Sequence, residues 1–76
     1  MTRASDPKIT IYGNKQRETL AAILFEVHKI GEDIVDPPRS EWFPFSQISK
    51  HFSDPTGEKE DWLLVSKWIL EKKELI

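Results

Sequence analysis

Cysteine is absent from the 76 residues, so neither a disulfide staple nor a thiolate metal site can stabilise this small chain. Glycine is scarce. The three present, Gly13, Gly31 and Gly57, stand apart from one another and leave no glycine-rich loop to cradle a phosphate. Histidine occurs twice, at His28 and His51, whereas a metal needs three or four ligands within reach. Glu32, Asp33 and Asp36 make an acidic loop, but without the spacing of a calcium loop. Ser46, Ser49 and His51 are close in sequence, yet a short helix there offers no pocket and Ser46 is needed as a cap. These absences predict a protein that is not an enzyme and holds neither metal nor cofactor. No apolar run approaches the roughly 18 residues of a membrane span, and the N-terminus has none of signal-peptide length. The expectation is a soluble, intracellular, cytoplasmic protein with no membrane contact.

A basic excess is missing as well. The net charge is -2, and the single basic stretch is residues 1–20, where Arg3, Lys8, Lys15 and Arg17 face only Asp6 and Glu18. Proteins that live by neutralising phosphates usually carry a clear positive surplus. What the chain does have is apolar and aromatic weight: 38% hydrophobic residues, with three Trp and four Phe, against 32% charged. That is the composition of a folded globule, and a chain this short buries only roughly 60% of the surface exposed when unfolded, so the core must be used efficiently. Residues 1–7 read as a flexible lead and 8–76 as one domain.

Along the chain, "KITIY" has the alternation of a half-buried strand, with Gly13 and Asn14 placed to stop it. Asn14 is a plausible helix N-cap, and Leu20, Ile23, Leu24, Val27 and Ile30 gather on one helical face up to Gly31. A first helix over roughly 15–30 is expected. "GEDIVDPPRSEW", with its proline pair, reads as an extended connection. "EWFPFSQISKHFS" then suggests a two-turn helix over about 47–52, capped by Ser46, with Phe45, Ile48 and Phe52 toward the core. In the extended stretch before it, either Trp42 or Phe43 can turn inward while the other points out. After the turn "SDPTGEKED", a last helix runs from about Glu58 to Glu74. Trp62, Val65 and Ile69 share one flank, Leu63 and Leu70 another, Leu64 and Trp68 a third, an apolar arc wide enough to need covering from several directions.

Strand, long helix, aromatic stretch, two-turn helix, turn and long helix: with "FSQISKHF" as a second helix and "WLLVSKWILEKKELI" as a third, residues 15–76 resemble the front part of a winged-helix domain of the helix-turn-helix superfamily. The resemblance implies a mainly helical α+β fold of three helices with a short N-terminal strand, although the chain stops before a full wing. It also implies a regulatory protein that lays its third helix in the major groove of double-stranded DNA. Nucleic-acid contacts would then fall to Arg3, Lys8, Lys15, Arg17, Thr56, Lys59, Ser66 and Lys67. Glu58, Glu60 and Asp61 at the head of that helix depart from the pattern, since they would meet phosphates.

The alternative is a protein-protein adaptor. "KITIY" either pairs with the 41–45 stretch or offers Ile9 and Ile11 on a free strand edge. Trp42, Phe43, Leu64 and Trp68 would be the apolar anchors for a partner, since aromatic anchors dominate interfaces. A homodimer, which would cover spare apolar surface, cuts across both readings.

Overall fold

The computed structural model describes residues 7–76. It is not a three-helix domain. Five antiparallel strands form one sheet: β1 (Lys8–Glu18), β2 (Ala22–Ile30), β3 (Asp33–Pro44), β4 (Ile48–Phe52) and β5 (Asp61–Ser66). One α-helix, α1 (Lys67–Lys72), and a 3-10 turn (Phe45–Gln47) complete the described residues. The strand order is β3-β2-β1-β5-β4, which puts β1 at the centre of the sheet.

The expected helix over 15–30 is instead the second half of β1, a turn at Thr19–Ala22 and the whole of β2. Two periods coexist in "AAILFEVHKI". The i, i+3, i+4 set is present, but Ile23, Phe25 and Val27 alternate with Leu24, Glu26 and His28, and the alternating set is the one buried. Leu20, a member of the helical set, stands fully exposed at the hairpin tip. There the Thr19 hydroxyl accepts from the amides of both Ala21 and Ala22 and fixes the reversal. Three β-branched residues in β2, Ile23, Val27 and Ile30, favour the pleated arrangement further.

Gly13 does not stop β1. The strand bulges on either side of it, and β2 approaches so closely that a Cβ at Gly13 would lie 1.8 Å from the Glu26 carbonyl oxygen. Asn14 is likewise no helix cap but a strand residue opposite Glu26. β2 turns into β3 through Gly31 and Glu32. Of these two loop residues only Gly31 has a positive φ, +59°, the pattern of a type II′ hairpin turn. The "DPP" segment, expected as a connection, lies within edge strand β3, where a missing N–H costs no ladder bond.

The last expected helix is β5 followed by six residues of α1. The wide arc of apolar flanks has a simple origin. In a strand, Leu63 and Val65 face one way and Trp62 and Leu64 the other, and on a helical projection that two-sidedness looks like apolar residues all round. The expected helix over 47–52 is the 3-10 turn and β4. With no second and third helix in those places, the winged-helix resemblance and its recognition helix are withdrawn.

One face of the sheet is covered. Ile11, Ile23, Phe25, Val27, Ile30, Phe43, Leu63 and Val65 project from it and meet Ile69 and Leu70 of α1, with Ile9, Val35, Phe45, Ile48 and Leu75 packed around them. Ser66 caps α1, its hydroxyl accepting from the Ile69 amide. The helix closes with Glu74 at φ +60°, its amide bonded to the Glu71 carbonyl and that of Leu75 to the Leu70 carbonyl. That is a Schellman ending with a glutamate where glycine is usual. Arg39 of β3 then donates to the Lys73 and Glu74 carbonyls and holds the C-terminal turn across the sheet. A shortest dimension of 17 Å leaves room for the sheet and this one covering layer, given about 10 Å between packed layers.

Candidate binding face

The opposite face has no covering layer among the described residues. Its side chains follow from strand alternation. Lys8, Thr10, Tyr12 and Asn14 come from β1, Trp62 and Leu64 from β5, and Lys50 and Phe52 from β4. Leu24, Glu26 and Lys29 come from β2, and Trp42 from β3.

Register brings three rings into one row across three strands, because Tyr12 lies opposite Trp62 and Trp62 opposite Phe52. The Trp62 and Phe52 rings are within 20° of parallel, with centroids 6.1 Å apart. At that separation and angle the two rings form an offset stack. Lys29 is opposite Tyr12 on the other side, with its Nζ 4.9 Å from the centre of the tyrosine ring. One row further on, Lys50 faces Leu64, which itself lies opposite Thr10, and Lys8 follows at the start of β1.

At the other end of the row the face becomes polar. The Glu26 carboxylate is 2.9 Å from the His28 imidazole and 3.5 Å from the Asn14 amide. These hydrogen bonds, that from His28 foremost, hold the Glu26 carboxyl below its ordinary value of 4.5. Beside them a groove of about 420 Å³ opens between His28, Lys29, Ile34, Asp36, Pro38 and Glu60, where β3 bulges away from β2. Beyond the polar cluster Leu24 and Trp42 pair as a second apolar spot, the tryptophan 40% exposed.

Beneath this face one buried carboxylate ties β1 to the β4–β5 loop. Asp61 points inward and accepts from the Lys15 amide at 2.8 Å, the Asp54 amide at 2.9 Å and the Ser53 hydroxyl at 3.3 Å. The Lys15 amide needs such a partner because the β1–β2 ladder is irregular there. Asp54 in turn organises the β4–β5 loop, accepting from the Thr56 hydroxyl and amide and from the Lys59 amide. These bonds, led by the Thr56 hydroxyl, hold its carboxyl below the ordinary 3.8.

The residues expected to meet DNA are not gathered. Arg3 lies outside the described residues. Lys8 starts β1, Lys15 is paired with Glu18 at 2.8 Å, and Arg17 is exposed near the hairpin tip. Thr56 and Lys59 sit in the β4–β5 loop, Ser66 caps α1, and Lys67 opens it. No helix presents them as a set, because residues 56–66 are loop and strand. Among the expected protein anchors, Ile9 and Ile11 belong to the central strand, Ile11 paired with both β2 and β5 and Ile9 with Val65 of β5, so "KITIY" is not an edge strand and does not pair with 41–45. Phe43 is fully buried and unavailable, while Trp42 and Leu64 are on the uncovered face and Trp68 is exposed on α1. Phe52, expected in the core, is 39% exposed.

Sequence reasoning passed over Tyr12, Trp62, Phe52, Lys29 and Lys50 as a group. The signal was there in "KITIY" and "DWLLV", where each inward aliphatic residue alternates with Thr, Tyr, Trp or Leu. Among the described residues no cluster of three or more His, Asp or Glu is arranged to hold a metal, and no helix is long and apolar enough to cross a membrane. Comparison with known families, with curated proteins and with solved structures finds no match.

Proposed function

We propose that this chain is a small non-enzymatic binding module whose partner lies against the uncovered face of the sheet. The observation that carries this reading is the row Tyr12–Trp62–Phe52, flanked by Leu64 and, further along, by Leu24 and Trp42. Large apolar side chains on all five strands face away from the core. A domain this small has little apolar surface to spare, and here Phe52 and Trp42 are exposed while Tyr12, Trp62, Leu64 and Leu24 are left half-exposed outside the core, which favours an interaction site. The side chains also suit recognition: Tyr and Trp pair a large apolar ring with a polar group and are enriched among interface anchors.

The double replacement Phe52→Ser with Leu64→Ser tests the reading without knowledge of the partner. A docking face predicts an unfolding midpoint within a few degrees of the parent, since about 1 kcal/mol moves a domain of this size by roughly 4–8 °C. It also predicts that the apolar dye 8-anilinonaphthalene-1-sulfonate, bound by the parent, is bound far less by the variant. A variant that unfolds, or that binds the dye as well as the parent does, refutes the reading.

A further inference from the structure

We infer that the partner is single-stranded nucleic acid, stacked on Trp62 and Phe52 and held by Lys8, Lys29 and Lys50. The inference rests on the docking reading above and goes further by naming the class of partner. Two observations carry it, one of shape and one of charge.

The shape is that of a stacking platform. Trp62 and Phe52 form a near-parallel offset stack on adjacent strands, with centroids 6.1 Å apart, Trp62 half-buried and Phe52 39% exposed. Every base has a flat π-face, and exposed rings on neighbouring strands of an open sheet take successive unpaired bases in this way. Tyr12 extends the row on the central strand. In the free protein the Lys29 ammonium lies over the Tyr12 ring, 4.9 Å from its centre. A third base on Tyr12 displaces that ammonium, and the backbone phosphate gives it a new partner.

The charge is local. The chain as a whole is acidic, at -2, but the strand positions of this face along the ring row and beyond it hold Lys29, Lys50 and Lys8 and no carboxylate. The carboxylates lie on the other side of the row, where Asp36 and Glu60 line the groove beside Lys29 and Glu26, opposite Asn14, is occupied by His28. Three lysines around a stacked pair of partly exposed rings match an anionic backbone carrying planar bases. They match a neutral apolar peptide less well, because its binding would desolvate the ammonium groups without a counter-charge. A duplex is excluded as the stacking partner because its bases are already stacked on one another.

The test uses the full chain and fluorescein-labelled oligothymidine and oligouridine of about 12 nucleotides, followed by anisotropy from about 50 to 200 mM salt. Binding is expected with a log–log salt slope near -2, since three phosphates at about 0.7 each are neutralised. Trp62→Ala and Phe52→Ala should each weaken it by about 5- to 150-fold. Lys50→Ala should flatten the slope by about 0.7. Trp68→Ala, which removes the exposed tryptophan on α1, should leave affinity unchanged. Circular dichroism of each variant matching the parent keeps the comparison valid, with Trp62→Phe as a substitute that retains a ring should Trp62→Ala unfold.

Absence of binding at about 50 mM salt overturns the inference, as does binding weakened equally by Trp68→Ala. Sedimentation of parent and Phe52→Ala at high concentration separates that failure from failure of the docking reading. Self-association lost in Phe52→Ala would retain the docking face, with a second copy in place of nucleic acid. Loss of dye binding in the Phe52→Ser, Leu64→Ser variant without oligonucleotide binding would likewise overturn the nucleic-acid inference alone.

Discussion

The two faces of this sheet are built from the same strands and differ in almost every chemical respect. The covered face is Ile, Val, Leu and two Phe, with the single buried carboxylate Asp61 at its margin. The uncovered face alternates with it residue by residue and carries Tyr12, Trp62, Phe52 and Trp42 among lysines and the Asn14–Glu26–His28 cluster. On the covered face the side chains exclude water and one another's empty space. On the other face Lys29 lies over Tyr12, Trp62 and Phe52 stack on each other, and Trp42 pairs with Leu24. On the proposed reading, stability and recognition are divided between the two sides of one sheet.

That division is broken most severely by Phe25→Ala. The ring is fully buried on β2, and its loss should cost about 3–5 kcal/mol in urea unfolding, a large fraction of the stability of a domain this size. A loss under about 1 kcal/mol would mean that the covered face is not the core. Gly13→Ala comes next. The added methyl meets the Glu26 backbone, which cannot swing aside as a side chain would, so destabilisation of at least about 2 kcal/mol is expected by the same measurement. Asp61→Ala should cost about 2 kcal/mol, because it strands the Lys15 and Asp54 amides in a part-buried site. Faster hydrogen exchange at those two amides, and not along β2, would locate the effect.

The smallest effect belongs to the uncovered face and depends on pH. The folded-state carboxyl of Glu26 lies below its ordinary 4.5, so its contribution is present above that value and is lost as pH falls through the depressed one. Glu26→Gln should therefore lower the urea midpoint slightly at pH 7, and the gap to the parent should close under acid conditions. A gap that persists or widens toward low pH would contradict the His28–Glu26 hydrogen bond as its source.

How far the fold could be read differed from segment to segment. "KITIY" was legible as a strand because Ile9 and Ile11 alternate with Thr10 and Tyr12 and no helical period competes. "ETLAAILFEVHKI" was not, since its apolar residues satisfy both a period of 3.6 and a period of 2. Helix and strand differ there by what is left outside, Phe25 in a helix or Leu20 and Leu24 in a strand, and that depends on neighbours the segment cannot specify. "DWLLVSKWIL" combines a strand with a helix, and the junction at Ser66 looks like one continuous apolar helix until β1 is seen to pair with its first half.

The sequence by itself determined a small cysteine-free domain with apolar and aromatic residues enough for one core, the strand at residues 8–12, and an acidic whole with lysines scattered through it. Tertiary structure alone decided that β1 is central rather than an edge, that Phe43 is buried and Phe52 exposed, and that Tyr12, Trp62 and Phe52 share a row. The physical reason is that a helix makes its hydrogen bonds within a segment, whereas a strand must borrow them from residues far along the chain. Which rings stand side by side is a property of register, and register exists only once the strands have paired.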